Sequence, residues 1–187
     1  ADYLEASGMC LATLSTETQA ALRDLLPPAA SLHNPIDMLA SASPEQYALG
    51  LQVLLVDPGV HSVLVILPPP PMYTAGAVAK ALIPIIHNAD KPVVIALMGE
   101  RLIQEAVEHF RAAHVPEYRF PERAASALAV LAQRAEYLNR AEEAPIISSD
   151  VDILAAQSTL ESCEVAKSSQ SLPPDMMNQL LEAYGIP

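Results

Sequence analysis

Histidines are the residues of this chain best suited to nucleophilic or acid–base chemistry, but none has the setting of a nucleophile. The five are His33, His61, His87, His109 and His114, which lie in a loop, beside a predicted strand, or near the ends of predicted helices. No GxSxG turn accompanies them, so the sequence does not support serine-hydrolase chemistry. We therefore predict no catalytic histidine.

The composition excludes several classes of function. The net charge is −12 and Lys and Arg form no patch, so a nucleic-acid backbone would meet no cationic surface. Cys10 and Cys163 are far apart and belong to no CxxC or Cys/His pattern, which predicts neither a disulfide framework nor a metal site. No apolar run reaches the roughly 18 residues that a membrane helix requires. We expect a soluble, cytoplasmic protein that binds neither nucleic acid nor a membrane.

Short apolar runs alternate with longer amphipathic segments, which is typical of repeated β–α units. We predict buried strands over residues 9–14, 62–67 and 92–97, and a weaker strand over residues 117–120. Only 4% of the residues are aromatic, so Ala, Leu, Val and Ile must build the core. This composition favours an α/β fold in which helices cover both faces of a parallel sheet.

Capping signals predict the helices. Ser43, Pro44 and Gln46 have the pattern of a capping box with proline at the first helical position. A second capping box is predicted from Thr16 to Gln19. Further helices are predicted over residues 75–87, 100–113 and 121–140, and Pro84 should kink or shorten the first of them. On these residues alone, Ser43 is most simply the cap of a structural helix.

The two ends of the chain depart from this pattern. Residues 1–7 are predicted to be the last two turns of a helix with Gly8 as its C-cap, although no cap or strand precedes them. Either preceding sequence is missing or the chain has a processed terminus. Residues 141–171 are predicted to form an acidic linker with a helix from 150 to about 167, and residues 172–184 another amphipathic helix.

Several segments resemble the NDP-forming acyl-CoA synthetases, which include the ADP-forming acetate–CoA ligases and are related to succinyl-CoA synthetase. The matching segments are residues 14–18, 25–31, 34–37, 63–67, 91–94 and 180–187. The resemblance implies that residues 1–140 are the last flavodoxin-like domain of such an enzyme, without its first strand. Residues 141–171 would then be a helical linker, and residues 172–187 the start of an ATP-grasp domain.

The resemblance also implies a reaction. These enzymes interconvert acyl-CoA, ADP and phosphate with the free acid, CoA and ATP through a phosphohistidine, which would lie outside this chain. By itself the chain is expected to be inactive and to bind no cofactor, whereas the whole enzyme would use CoA, ADP or ATP, and Mg²⁺. Its expected partners are the CoA-binding, histidine-bearing and ATP-grasp domains of the same synthetase. A homodimer or strand exchange would be a further way to replace the first strand.

The site implied by the resemblance has two parts. The first would stabilise a phosphate or phosphohistidine loop and comprises Asn34, Asp37, Ser41, Ala42 and Ser43. It lies at a helix N-terminus, where free N–H groups attract anions. Succinyl-CoA synthetase has a glycine run where this chain has Leu39, Ala40 and Ser41, which bears on how closely the backbone can approach an anion.

The second part is a substrate loop formed by Met72, Thr74 and Gly99, which follow two predicted strands. Ligands bind at the carboxyl ends of strands in doubly wound folds. The four prolines at residues 68–71 allow another interpretation, in which this loop is only a stiff surface turn.

Three functions remain open from the sequence. The chain could be part of a ligase, or a catalytically degenerate regulatory module such as certain protein lysine acetyltransferases carry, or an independent flavodoxin-like binding protein. A histidine-bearing, Gly/Ser-rich loop upstream in the full-length gene would favour the ligase. An acetyltransferase domain downstream, without that loop, would favour the module.

Overall fold

The computed structural model describes residues 2–99, 101–140, 151–162 and 172–186. The chain divides into two compact units, Ala1–Asn139 and Arg140–Pro187. The first unit holds the sheet and both parts of the predicted site. Most of the predicted acidic linker lies outside the described residues.

The first unit is built on a parallel sheet of three strands in the order β1-β2-β3. The strands are β1 (Val63–Leu67), β2 (Val93–Leu97) and β3 (Glu117–Tyr118). Val63 lies opposite Val93, and Ile95 lies opposite Glu117. All five residues of β2 are buried, as expected for the central strand of a parallel sheet. The predicted strands at 62–67, 92–97 and 117–120 are thereby confirmed, the last in a two-residue form.

Six helices accompany this sheet in the described part of the first unit. They are α1 (Asp2–Ala6), α2 (Thr16–Leu25), α3 (Pro44–Val56), α4 (Ala75–His87), α5 (Gln104–Ala112) and α6 (Pro121–Asn139). Pro84 lies inside α4, which continues to His87, so the proline does not cut this helix short. The α5 helix begins later than predicted, at Gln104.

Apolar side chains pack on both faces of the sheet. On one face Val63, Leu67 and Ile95 belong to a core that includes residues of α2 through α5. On the other face Val94 and Ala96 pack with buried residues of α6. Because neighbouring residues of β2 point to opposite faces, the whole strand is apolar. The predicted α/β fold with helices on both faces is confirmed, and it is consistent with a flavodoxin-like fold.

The strand predicted over residues 9–14 is wrong, because this segment has no regular structure. Two of its carbonyl oxygens accept hydrogen bonds from side-chain amides instead of from a strand. Asn34 Nδ2 donates to the Ala12 oxygen at 3.1 Å, and Gln19 Nε2 donates to the Leu14 oxygen at 3.0 Å. A strand requires a neighbour of complementary backbone groups, and none of the described strands pairs with this segment.

The capping box predicted for α3 is confirmed, whereas the one predicted for α2 is wrong. At α3, Ser43 is the N-cap and both bonds of the capping box are present. At α2, the N-cap is Ser15 instead of Thr16, and its side chain accepts from the Thr18 N–H. Gln19 is therefore not the partner in a capping box, and its amide bonds to the Leu14 carbonyl.

The second unit contains α7 (Ile153–Glu161) and α8 (Pro174–Ala183). Asp152 caps α7 by accepting from the Ala155 N–H at 2.9 Å, and its own N–H donates to the Ala183 oxygen at 2.9 Å. Both helices were predicted, with longer bounds. Across the described ranges, no helix is long and apolar enough to cross a membrane.

Candidate functional site

The loop that leads into α3 carries the first part of the predicted site. Its backbone is held by a pair of hydrogen bonds between Ser31 and Asp37, of 3.0 and 3.2 Å. The Asp37 side chain turns the chain further, because its Oδ1 accepts from the Leu39 N–H at 2.9 Å. Asn34 lies between the two bridging residues, and its amide reaches the Ala12 carbonyl. Asn34 and Asp37 therefore hold the loop in place.

The N-terminus of α3 satisfies its own donors. The Ser43 N–H donates to Gln46 Oε1 at 3.0 Å, and the Gln46 N–H donates to Ser43 Oγ at 3.2 Å. The pKa of Glu45 is lowered, first by its own backbone N–H and then by the Ser43 hydroxyl. An anion at this helix end would therefore meet donors that are already engaged and a nearby carboxylate.

Open donors are found earlier in the loop. The N–H groups of Ala40 and Ser41 and the Ser41 hydroxyl have no hydrogen-bond partner among the described residues, and both residues are exposed. Ala42 is buried, at 1% exposure, so its side chain anchors the loop in the protein. Among the five residues predicted for the phosphate site, Ser41 combines an open backbone N–H with an open hydroxyl in the described structure. Backbone N–H groups and a hydroxyl can bind an oxyanion without a side-chain cation.

Tyr47, which was not predicted to belong to the site, also lies near this loop. Tyr47 is on the first turn of α3, and its pKa is raised, first by burial and then by the Asp37 carboxylate. No local sequence signal places a residue of α3 beside Asp37, since the proximity arises from the fold of the loop.

Leu39 lies in the left-handed region, with φ of 67°. This conformation costs an L-residue with a Cβ roughly 1–2 kcal/mol. It occurs where the resemblance indicated a glycine run, so the departure from glycine has a measurable backbone cost. Leu39 is the first of the three residues that replace that run, and it directly precedes the open N–H groups.

We expect Leu39→Gly to be more stable than Leu39→Ala by about 0.5–1 kcal/mol, because both remove the side chain but only glycine relieves the left-handed strain. Urea unfolding of the two variants measures this difference. The matched control is the same pair of substitutions at Leu49, an exposed residue within α3. There the glycine variant should be less stable than the alanine variant by about 1 kcal/mol. The same order of stability at both positions would contradict the assignment of strain to Leu39.

The second part of the predicted site lies after β1 and β2. Thr74 is the N-cap of α4 and accepts from the Ala77 N–H at 3.0 Å, so it has a structural role. Met72 is exposed at 73%. Gly99 has φ of 101°, and a Cβ at this position would lie 2.8 Å from Pro69 Cγ. The loops after the two strands therefore touch each other through Gly99 and Pro69.

The two parts of the predicted site are not joined by hydrogen bonds in the part of the chain that the structure describes. A cavity of about 230 Å³ lies beside the first part and is lined by residues 11–14, Gln19 and residues 32–34. Pockets for drug-sized ligands usually measure about 300–1,000 Å³, so this cavity does not fit CoA or a nucleotide. The described residues also contain no group of three or more His, Cys, Asp or Glu residues that could hold a metal ion.

Comparison with known proteins gives the family. Residues 1–145 match the Ligase-CoA domain. The chain belongs to this family. Among characterised relatives, it is 34% identical over 142 residues to the α subunit of ADP-forming acetate–CoA ligase II from Pyrococcus furiosus, covering 73% of this chain and 31% of that protein. It is 29% identical to ADP-forming acetate–CoA ligase I from Archaeoglobus fulgidus, covering all of this chain and 26% of the relative.

Solved structures agree with this membership. A protein from Pyrococcus horikoshii OT3 matches 74% of this Ligase-CoA chain with a TM-score of 0.70 and 34% identity, over 33% of its own length. The dinucleotide-forming acetyl-coenzyme A synthetase 1 of Candidatus Korarchaeum cryptofilum, solved in complex with phosphate and ADP, matches 72% with a TM-score of 0.65 and 29% identity, over 30% of its length. The chain thus spans about a third or less of the proteins it matches.

Proposed function

We propose that this Ligase-CoA domain is part of a cytoplasmic, ADP-forming acid–CoA ligase and contributes its residue 34–43 loop to a phosphate site. The observation that carries the proposal is the pair of open N–H groups at Ala40 and Ser41, with the Ser41 hydroxyl beside them. They lie in a domain whose relatives are named as ADP-forming acetate–CoA ligases. No observation favours the alternative of a regulatory acetyltransferase module.

The proposed role is electrostatic. The phosphoryl group that passes from an acyl phosphate to a histidine and then to ADP carries negative charge, which fixed N–H dipoles stabilise without reorganisation. Ala40 and Ser41 would supply these dipoles, while Asn34 and Asp37 hold the loop. The phosphorylated histidine, the body of the ATP-grasp fold and Mg²⁺ are proposed to belong to other domains of the synthetase. Met72 and Gly99 are proposed to form a wall of the acyl site.

Ser41→Asp tests the phosphate site, because it sets a like charge beside the proposed oxyanion. In the synthetase assembled from this chain and its partner domains, we expect the KM for phosphate to rise by about tenfold or more, with the KM for ADP within about twofold. Steady-state ATP formation from acyl-CoA, ADP and phosphate measures both. Gln52→Glu is the control, since it adds the same charge at an exposed position of α3. An unchanged KM for phosphate in a folded Ser41→Asp enzyme would refute the proposal.

The outer edge of β1 is the proposed contact for a further segment of the synthetase. Val63 donates to the Pro92 oxygen and Leu67 accepts from the Met98 N–H, both toward β2. Backbone groups of neighbouring residues point to opposite sides of a strand, so Leu64 and Ile66 face away from β2. Their N–H groups have no partner among the described residues. Such an edge is a template for another strand, and we propose that a strand from another segment of the enzyme pairs there.

Hydrogen exchange tests this contact. The Leu64 and Ile66 amides should exchange quickly in the isolated chain and should be protected by at least about 100-fold in the assembled synthetase. The Val63 amide serves as the internal control, because its hydrogen bond to the Pro92 oxygen should protect it in both. A monomeric isolated chain with equally protected Leu64 and Ile66 amides would contradict an open edge.

A further inference from the structure

Gln46 links the α2 and α3 helices, which are connected in the chain by the loop of the proposed phosphate site. Its side-chain Oε1 accepts from the Ser43 N–H, which closes the capping box of α3. Its side-chain Nε2 donates to the Leu25 oxygen at 3.1 Å, at the C-terminus of α2. One amide side chain therefore joins the last turn of α2 to the first turn of α3.

The Leu25 carbonyl needs such a partner because it belongs to the last residue of α2. The last carbonyls of a helix have no partner within the helix, and the chain leaves α2 in an extended conformation at Leu26. The loop then runs through residues 27–43 before α3 begins. Gln46 thus bridges the two ends of this loop, at its base.

The middle of the loop also rests on α3. The methyl group of Met38 lies 3.4 Å from the position that a Cβ on Gly50 would occupy. Gly50 is buried, and Met38 packs against the main core. The orientation of the loop, and of the Ala40 and Ser41 N–H groups within it, therefore depends on how α3 is placed against α2.

We infer that Gln46 is a positioning residue for the phosphate step, an inference that rests on the proposed function. The role inferred for Gln46 is to position the loop and not to bind phosphate, since its Oε1 accepts from the Ser43 N–H and its Nε2 donates to the Leu25 carbonyl. It holds the α2–α3 junction and thereby the loop that carries the open N–H groups of Ala40 and Ser41. Loss of the bridge lets the loop base widen, and small displacements of oriented dipoles weaken anion binding and transition-state stabilisation.

Two substitutions separate the bridge from the cap. Gln46→Glu keeps an oxygen for the Ser43 N–H, as glutamate does in ordinary capping boxes, but it cannot donate to the Leu25 carbonyl. Gln46→Met removes both side-chain bonds without adding charge. The control for the charge of glutamate is Gln52→Glu, on the same helix. The control for loss of an amide-to-carbonyl bond is Gln19→Met, since Gln19 Nε2 donates to the Leu14 oxygen outside residues 27–43.

In the assembled synthetase, both Gln46 variants should raise the KM for phosphate by about five- to tenfold while the KM for ADP stays within about twofold. Gln19→Met should lower Tm to a similar extent as Gln46→Met and leave the KM for phosphate within about twofold. Because Gln46→Glu retains its cap, it should fold even if Gln46→Met does not.

Parallel shifts of Tm in the Gln46 and Gln19 variants, with no change in the KM for phosphate, would show that Gln46 is only structural. The Ser41→Asp enzyme separates the two ideas. A phosphate effect in Ser41→Asp but not in the Gln46 variants overturns the positioning role alone. The absence of a phosphate effect in all of them overturns the proposed function together with the inference.

Discussion

Replacing Asp57 with asparagine should lower the free energy of unfolding by about 3 kcal/mol, because a buried carboxylate with several donors loses its charge-assisted hydrogen bonds. Asp57 is 2% exposed. Its Oδ2 accepts from the Ser15 N–H at 2.9 Å, and its Oδ1 accepts from the Gly59 N–H at 2.8 Å. The amide nitrogen of asparagine would face one of these donors. Urea unfolding of the isolated chain measures the loss, and Asp90→Asn, at an exposed carboxylate, is the control.

The same carboxylate gives the protein a specific dependence on pH. The pKa of Asp57 is lowered to about 2, first by the Thr18 hydroxyl and then by the Ser15 N–H. A carboxyl whose pKa is lower in the folded state stabilises the fold at pH values above its unfolded pKa of about 3.8. The contribution is about 2.5 kcal/mol, and it is lost as the pH falls from about 4 toward 2.

The stability difference between the wild type and Asp57→Asn should therefore be constant above about pH 5 and should shrink below pH 4. Unfolding curves at pH 7, 5, 4 and 3 follow it. A difference that stays constant down to pH 3 would mean that the Asp57 charge does not contribute, and that only the shape of the side chain matters.

Asp57 also has a partner that could not be inferred from the sequence. The sequence Asp57-Pro58-Gly59 is typical of a turn, and a turn is present at residues 58–59. The role of the carboxylate depends on Ser15, which is 42 residues away in the chain. The Ser43 capping box, by contrast, joins residues three apart and was predicted in full. Interactions between near neighbours can be inferred from spacing, whereas partners brought together by the fold cannot.

The same distinction explains the fold. Strands were predicted over residues 62–67 and 92–97, and in the structure residues 63–67 and 93–97 form strands that pair with each other. Residues 9–14 are also mostly apolar, but no described strand pairs with them. Apolarity alone does not show whether a neighbouring strand exists. At the site, the resemblance indicated the loop that leads into α3. Which of its donors are open, at Ala40 and Ser41, and which are engaged, at Ser43, depended on hydrogen bonds that only the structure shows.

The second large effect is expected at Gly99, where the loops after β1 and β2 touch. We expect Gly99→Ala to destabilise the chain by about 2–3 kcal/mol. Its φ of 101° is one that residues with a Cβ rarely adopt, which costs about 1–3 kcal/mol. The new methyl group would also lie 2.8 Å from Pro69 Cγ, and a proline ring has little freedom to move away. Thermal and urea unfolding measure the loss.

Gly76 provides a control in which the geometric overlap is closer but the expected effect is smaller. A Cβ on Gly76 would overlap Glu105 Cδ. Glu105 is a flexible, half-exposed side chain whose contacts to Lys80 and His109 are both 3.4 Å long, so it can swing into solvent at little cost. Gly76 is also within α4, where alanine favours the helix. Gly76→Ala should therefore change stability by less than about 1 kcal/mol. If Gly76→Ala proves as destabilising as Gly99→Ala, then steric overlap and not backbone conformation governs the stability at both positions. In that case the contact between the two loops does not depend on the left-handed turn at Gly99.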